Sequence, residues 1–305
     1  MKVTLLGTGC PQCHTKRYGP ASLVRHGEVS VLIDCGSGVT QRLVGAGCPG
    51  GRLDAVLLTH LHSDHLVDLY QLIVSGWHQN RTVPQRIYGP KGTRAYVEGL
   101  LELWREEREL RMAHERRPNL AGFTAEVVEY GEGPVVELPG LFVDAVKVEH
   151  EPIKEAYGFV FRADDGTVAA FSGDTRYCEA LIEAARGADV LVHECFIHGL
   201  MKPVPGLRTQ EGIDAVASYH TLSAEVGKVA REAGVGFLML NHFVPAEFDR
   251  EALAAEVAQD FAGPFAIGED LMSYDIPTRS LSHGDAHWRL GPSRRSGDQP
   301  GRTSG

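Results

Sequence analysis

Long apolar runs are missing from this chain. No stretch approaches the roughly 18 apolar residues of a membrane span. The start, Met1-Lys2-Val3-Thr4-Leu5-Leu6-Gly7, is too short in apolar length for a signal peptide and turns at once. A soluble, cytoplasmic protein is expected. Positive charge is in deficit: 30 Lys and Arg stand against 40 Asp and Glu, a formal net charge of −10. That balance argues against a nucleic-acid backbone as the main partner, because phosphate contacts come from Lys and Arg. Cysteine is too sparse for a disulfide framework, with six in 305 residues. Cys35, Cys48, Cys178 and Cys195 lie near apolar runs and read as reduced core residues. Cys10-Pro11-Gln12-Cys13-His14 matches the CxxCH pattern of c-type haem attachment. That attachment needs export, so the segment reads as an ordinary loop. Neither GxGxxG nor GxxxxGK occurs, which removes the common nucleotide-cradling loops. No repeat of fixed period is present.

What is there begins with a 43% apolar composition, enough for a sizeable core. One domain is expected over residues 1–280. From 281 to 305 Gly, Ser, Arg and Pro dominate, and a disordered tail is expected. The densest chemistry lies in Thr59-His60-Leu61-His62-Ser63-Asp64-His65-Leu66. Ala55-Val56-Leu57-Leu58 before it reads as a buried strand, and Leu66 to Trp77 after it as a helix. Four metal-capable side chains fall within six residues on that strand-to-helix loop. His60 and His62 point the same way in an extended segment, so one ion can take both. Asp64 and His65 follow the turn and can face a second ion. Imidazole and carboxylate suit Zn²⁺, with Mn or Fe as alternatives. A mere helix cap at Ser63 or Asp64 would use one residue and leave three histidines idle.

Further along, Asp34-Cys35-Gly36-Ser37-Gly38 is a Gly-rich turn after the strand Val29 to Ile33. Gly92 to His114 reads as one long charged helix with a solvated face. Its alternative is a lid, with Leu100, Leu103 and Trp104 turned toward a cleft. Leu141 to Val148 is a strand, followed by Glu149-His150. Tyr157 to Arg162 and Val168 to Phe171 form a hairpin about Asp164-Asp165-Gly166. Ser172-Gly173-Asp174-Thr175, His193-Glu194, His220 and Asn241-His242-Phe243 then come in order, most of them at strand ends.

HxHxDH after a hydrophobic strand resembles the metal-binding signature of the metallo-β-lactamase superfamily. The later motifs are similar to ribonuclease Z and its arylsulfatase-type relatives, over roughly Lys2 to Tyr274. The resemblance implies an αββα metallo-β-lactamase sandwich, two mixed β-sheets flanked by helices. It also implies two divalent metal ions sharing a hydroxide. His60, His62 and His150 would hold the first ion, Asp64, His65 and His242 the second, and Asp174 would bridge. Asp64, His220 and Glu194 are the implied catalytic residues, His220 contacting the reacting group and Glu194 orienting it. A homodimer is implied as a family habit. Two departures turn the expectation away from tRNA. Ribonuclease Z carries a protruding substrate arm where this chain has the tight hairpin Tyr157 to Phe171. The segment Arg17-Tyr18-Gly19-Pro20-Ala21 looks like the arylsulfatase-type and small-phosphodiesterase members, and Trp77 fits that branch. The expected function is hydrolysis of a small-molecule ester, a phosphodiester or an aryl or alkyl sulfate, with nucleic acid ranked below it. The alternative is a ribonuclease Z-type tRNA 3′-end endonuclease. A non-hydrolytic or binding member of the superfamily is the reading from another class. His62 stands against the flavodiiron type, which has an acidic residue there.

Overall fold

Strands covered on both faces carry most of the apolar sequence, and in the computed structural model they stack as two sheets. The structure describes residues 1–291. The first half of the chain forms β1 (Lys2–Gly7), β2 (Ala21–His26), β3 (Val29–Ile33), α1 (Val39–Gly45), β4 (Ala55–Leu57), α2 (Leu69–His78), β5 (Gln85–Gly89), α3 (Thr93–Leu103), α4 (Arg105–Glu115) and β6 (Ala125–Glu129). The second half forms β7 (Gly133–Leu138), β8 (Leu141–Lys147), β9 (Tyr157–Ala163), β10 (Val168–Phe171), α5 (Glu179–Ala184), β11 (Val190–Phe196), α6 (Gln210–Ala217), α7 (Ser223–Ala233), β12 (Leu238–Val244), α8 (Arg250–Asp260) and β13 (Phe265–Ile267). It then returns to the first sheet as β14 (Ser273–Asp275), β15 (Ser280–His283) and β16 (Ala286–Arg289). One sheet runs β16-β15-β14-β1-β2-β3-β4-β5-β6, the other β13-β12-β11-β10-β9-β8-β7.

The alternation of strand side chains explains the layers. In β3, Val31 and Ile33 face the other sheet, while Leu32 faces the helices. The inter-sheet layer joins Val3, Leu5, Val31 and Leu57 to Phe159, Phe161, Phe171 and Phe237. Each fully buried Phe there contributes about 1.5–3 kcal/mol. The outer face of the first sheet packs on α1 and α2 through Val39, Leu43, Leu72 and Trp77. The outer face of the second packs on α5, α7 and α8 through Ile182, Val226, Ala230 and Leu253. This is the αββα sandwich. β3, β4 and β5 are parallel, as are β10 to β13. Their carboxyl ends gather at one edge, where open α/β sheets place ligands.

Several expectations shift. The helix after the metal loop starts at Leu69, because Ser63–His65 forms its own turn and Leu66 leaves helical geometry at φ −147°. The charged stretch from Gly92 breaks at Trp104 into α3 and α4; α4 fully buries no residue and rests on the core through the half-buried Met112. Trp104 stacks on Tyr70, with centroids 4.8 Å apart. Together with Leu103 and Leu110 it borders a surface hollow on α4, separate from the sheet edge. Trp77 is wholly buried against Phe123 and lines no cleft. The first residues of the tail expected from 281 are strand instead. Leu281 is buried in the inter-sheet layer, and β15 pairs with β16 up to Arg289. Residues 292–305 of that expectation lie outside the described residues. No helix among the described residues is long and apolar enough to cross a membrane.

Candidate metal centre

Asp34 organises the first loop of the centre. It ends β3 in the left-handed region at φ 59°, which aims its carboxylate across at the segment after β4. Oδ1 accepts the Thr59 N–H at 2.8 Å, and Oδ2 accepts the Thr59 hydroxyl at 2.9 Å. Oδ2 also accepts His65 Nδ1–H at 2.8 Å. With its proton given to Asp34, the Thr59 hydroxyl accepts from His60 Nδ1 at 3.0 Å. Farther on, His150 Nδ1 donates to the Tyr219 carbonyl at 2.9 Å. Each of these bonds fixes a tautomer and leaves Nε2 as the free ligand atom of His60, His65 and His150.

Those free atoms converge in two groups. His60 Nε2 and His150 Nε2 lie 3.0 and 3.1 Å from His62 Nδ1. His65 Nε2 lies 3.3 Å from His242 Nε2, and Asp64 Oδ2 lies 3.4 Å from His242 Nε2. Ligands about 2.0–2.2 Å from one tetrahedral ion sit roughly 3.3 Å from each other. Asp174 Oδ2 stands between the groups, 3.2 Å from both His65 and His242 and 3.9 Å from both His60 and His150. The donor atoms in each such cluster lie within 4.8 Å of one another. Asp64 Oδ2 is buried without a hydrogen-bond partner among the described residues. Its nearest polar neighbours are the imidazole nitrogens of His242 and His65 at 3.4 and 3.6 Å, and a shared cation would complete all three donors. The donor set therefore fits two divalent ions.

Local backbone features place the later donors. Gly173 has φ 60°, and a Cβ there would come within 2.6 Å of the Tyr157 carbonyl oxygen. Only glycine lets β10 turn so closely under β9 and deliver Asp174. His242 lies inside β12, not at its end. The β11–β12 register runs Glu194 opposite Asn241 and then Cys195 opposite Phe243, so His242 is the extra residue of a bulge, at φ 46°. The bulge turns its ring toward the edge.

Charge divides the two groups. Burial drives His60 well below its ordinary value and His150 down to about 4; it also lowers His62. Burial pulls on His65 and His242 as well, but the carboxylates outweigh it. Asp174, Asp34 and Asp64 hold His65 well above the usual range, and Asp174 and Asp64 raise His242 to about 9. Against the cost of burial, His242 and His65 hold Asp174 well below an ordinary carboxyl.

Beside the centre, Glu194 and His220 form a buried pair. Both carboxylate oxygens lie 2.8 Å from His220 Nδ1, and Oε1 also accepts the Thr175 N–H at 2.7 Å. Burial, with Asp174 nearby, pushes Glu194 well above its ordinary value, while burial takes His220 down to about 4. Burial thus opposes charge on either member of the pair. His220 Nε2 is left for whatever enters the adjoining cleft. That cleft, about 320 Å³, is lined by His62, Asp64, Asp174, Tyr219, His220 and His242 among others.

Sequence and structure comparisons agree with this geometry. The family model described as anti-Pycsar protein Apyc1 matches residues 1–204. A ribonuclease Z of Mycobacterium bovis is 35% identical over 288 residues, covering 92% of this chain and 99% of the relative. The ribonuclease Z of Mycolicibacterium paratuberculosis is 37% identical over 285 residues, covering 92% of this chain and all of the relative. Among solved structures, the metallo-β-lactamase fold protein YhfI of Bacillus subtilis superposes with a TM-score of 0.71 at 22% identity, covering 90% of this chain and 99% of that one. The short form of human tRNase Z gives 0.65 at 21% identity, covering 91% and 100%. The chain belongs to the Apyc1 and ribonuclease Z group of the metallo-β-lactamase superfamily. With that membership and this donor set, it is a metallo-β-lactamase-fold hydrolase of ester bonds.

All nine residues singled out for this ribonuclease Z-like site meet at one edge of the sandwich. Reading the sequence alone missed Tyr219, whose carbonyl fixes the His150 tautomer and whose ring packs on His150 at 5.0 Å. Its position beside His220 was the available signal. The bulge at His242 left no trace in the composition of its strand.

Proposed function

We propose that this chain is a dinuclear metal-dependent phosphodiesterase, and that its reaction is of the ribonuclease Z type, endonucleolytic cleavage at the 3′ end of tRNA. The observation that carries the reading is Asp174 Oδ2, set between two groups of free nitrogen and carboxylate donors, with the His220–Glu194 pair on the adjoining cleft. His60, His62 and His150 would hold one ion, Asp64, His65 and His242 the other, with Asp174 shared. Bound by these residues, the ions would supply Lewis acidity toward a phosphoryl group and a nucleophile at neutral pH. The chain's own residues do the rest. Asp34, Thr59 and the Tyr219 carbonyl keep three imidazoles in their ligand tautomers. Glu194 holds the His220 ring and supplies the counter-charge when Nε2 hands a proton to the departing oxygen.

Relatives named ribonuclease Z, matched over nearly their whole length, support this reading of a phosphodiester over a sulfate and of RNA over a small molecule. This reverses the order that charge and the missing arm alone suggest. A second reading, a compact phosphodiester substrate, keeps one specific support. β9 and β10 are joined by the tight turn after Ala163, with no arm to grip tRNA, and the chain is acidic. One assay separates the readings. Metal-loaded protein is given precursor tRNA, bis(4-nitrophenyl) phosphate and 4-nitrophenyl sulfate at two salt concentrations. The expected result is site-specific tRNA cleavage that weakens with salt. Salt-independent turnover of the small diester alone promotes the second reading, and sulfate hydrolysis faster than either overturns both.

A further inference from the structure

Four buried histidines enter the centre, and one is held differently from the rest. Nδ1 is hydrogen-bonded in His60, His65 and His150. In His242 it is buried and has no hydrogen-bond partner among the described residues. No hydrogen bond at Nδ1 therefore holds that ring from behind, and the bulged backbone must set its direction. The backbone is pinned one residue later: the Phe243 N–H donates to the Thr8 carbonyl at 3.1 Å. The Phe243 ring is wholly buried beside Phe248, with centroids 4.6 Å apart.

Arg17 locks this arrangement from above. Its guanidinium carbon lies 4.6 Å from the Phe243 centroid and 5.2 Å from that of Phe248. Nη1 donates to the Thr8 hydroxyl at 2.7 Å and to the Gly268 carbonyl at 2.9 Å, and Nη2 donates to Glu269 at 3.1 Å. Asp270 closes the far side, accepting the Thr8 N–H and hydroxyl at 3.0 and 2.8 Å and the Tyr18 N–H at 2.9 Å. Arg17 is only 7% exposed, so a cation has been taken out of water to make these contacts.

We propose that Arg17 is the positioning residue of His242: it clamps Phe243 and Thr8 and so fixes the bulge that aims His242 at the second ion. The Arg-Tyr-Gly-Pro segment thereby acquires a role in metal affinity. The inference rests on the two-ion reading. Its test is calorimetric titration of metal-stripped protein with Zn²⁺, comparing wild type, Arg17→Met and Arg17→Lys. Methionine keeps an unbranched apolar stem over the rings and removes every donor. Two binding steps are expected in wild type. In Arg17→Met the step assigned to His60, His62 and His150 stays unchanged, while the other weakens about 10- to 100-fold, the usual cost of losing an outer partner of a ligand. Arg17→Lys recovers part of that loss. Wild-type protein that binds fewer than two ions overturns the two-ion reading itself. Two wild-type steps that persist equally in Arg17→Met overturn this inference alone, as does equal weakening of both steps with a fall in Tm. If Arg17→Met does not fold, Phe248→Leu removes one face of the clamp. Weakening of the second step alone supports the clamp, and affinities equal to wild type overturn it.

Discussion

The two donor groups sit a few ångströms apart and are prepared for a cation in opposite ways. His60, His62 and His150 are neutral before anything binds, because burial opposes their protonation. Hydrogen bonds to Thr59 and the Tyr219 carbonyl have already turned two of the rings. In the other group His65 and His242 instead hold protons that Asp64 and the neighbouring carboxylates stabilise. One group is set by tautomer, the other by charge, and Asp174 belongs to both. A metal entering the first group displaces little, whereas a metal entering the second must displace protons.

The largest expected effect removes the contrast altogether. Asp174→Ala deletes the oxygen that both groups share and leaves His65 and His242 facing each other with less counter-charge. An ion in such a site is worth several kcal/mol of transition-state stabilisation. A kcat loss of about 10⁴ therefore follows, at 1.36 kcal/mol per decade. Metal analysis should show both sites depleted. Wild-type occupancy of either site in this variant would detach Asp174 from that group.

A smaller effect leaves the contrast intact and moves only the chemistry beside it. His220→Ala should keep both ions and the wild-type Tm but lower kcat by about 10²–10⁴, the span of general acid catalysis. Glu194→Gln should lower it less, because His220 keeps a hydrogen-bond partner while losing its counter-charge. Unchanged kcat in His220→Ala, with metal content verified, removes His220 from the reaction.

The two groups also differ in how plainly the sequence announces them. Four donors crowd into His60 to His65, a density with no structural use, so that part was legible at once. Asp34 was legible as the start of a Gly-rich turn; its bonds to Thr59 and His65 make it the brace of the same loop. His150, Asp174 and His242 were legible only through their order at strand ends. The bulge that aims His242 is a register shift between two strands, and a single strand's sequence carries no register. Elsewhere the signal itself was thin. α6 buries Ile213 alone, so no apolar stripe marks it. β7 is an edge strand with one well-buried residue, Leu138, and a register irregularity after Pro134.

The smallest expected effect is the sharpest probe of the difference between the groups, because it is a slope. In the metal-free protein His65 and His242 are raised above their unfolded value of about 6.5. Their contribution to stability is therefore fully present below that pH. It is lost as pH rises through the folded values, about 9 for His242. His60 and His150 are lowered, so their contribution is present above about 6.5 and is lost as pH falls toward about 4 for His150. Between pH 7 and 9 only the second group still exchanges protons. Metal binding there should release them, and its apparent affinity should rise about tenfold per pH unit for each proton displaced. The first group should bind with an affinity that is flat over the same range. Titration at pH 7, 8 and 9, repeated in buffers of different ionisation enthalpy, counts the protons released at each step. Equal slopes for the two steps would show that both groups are prepared alike, and the contrast drawn from Asp34, Asp64 and Asp174 would not hold.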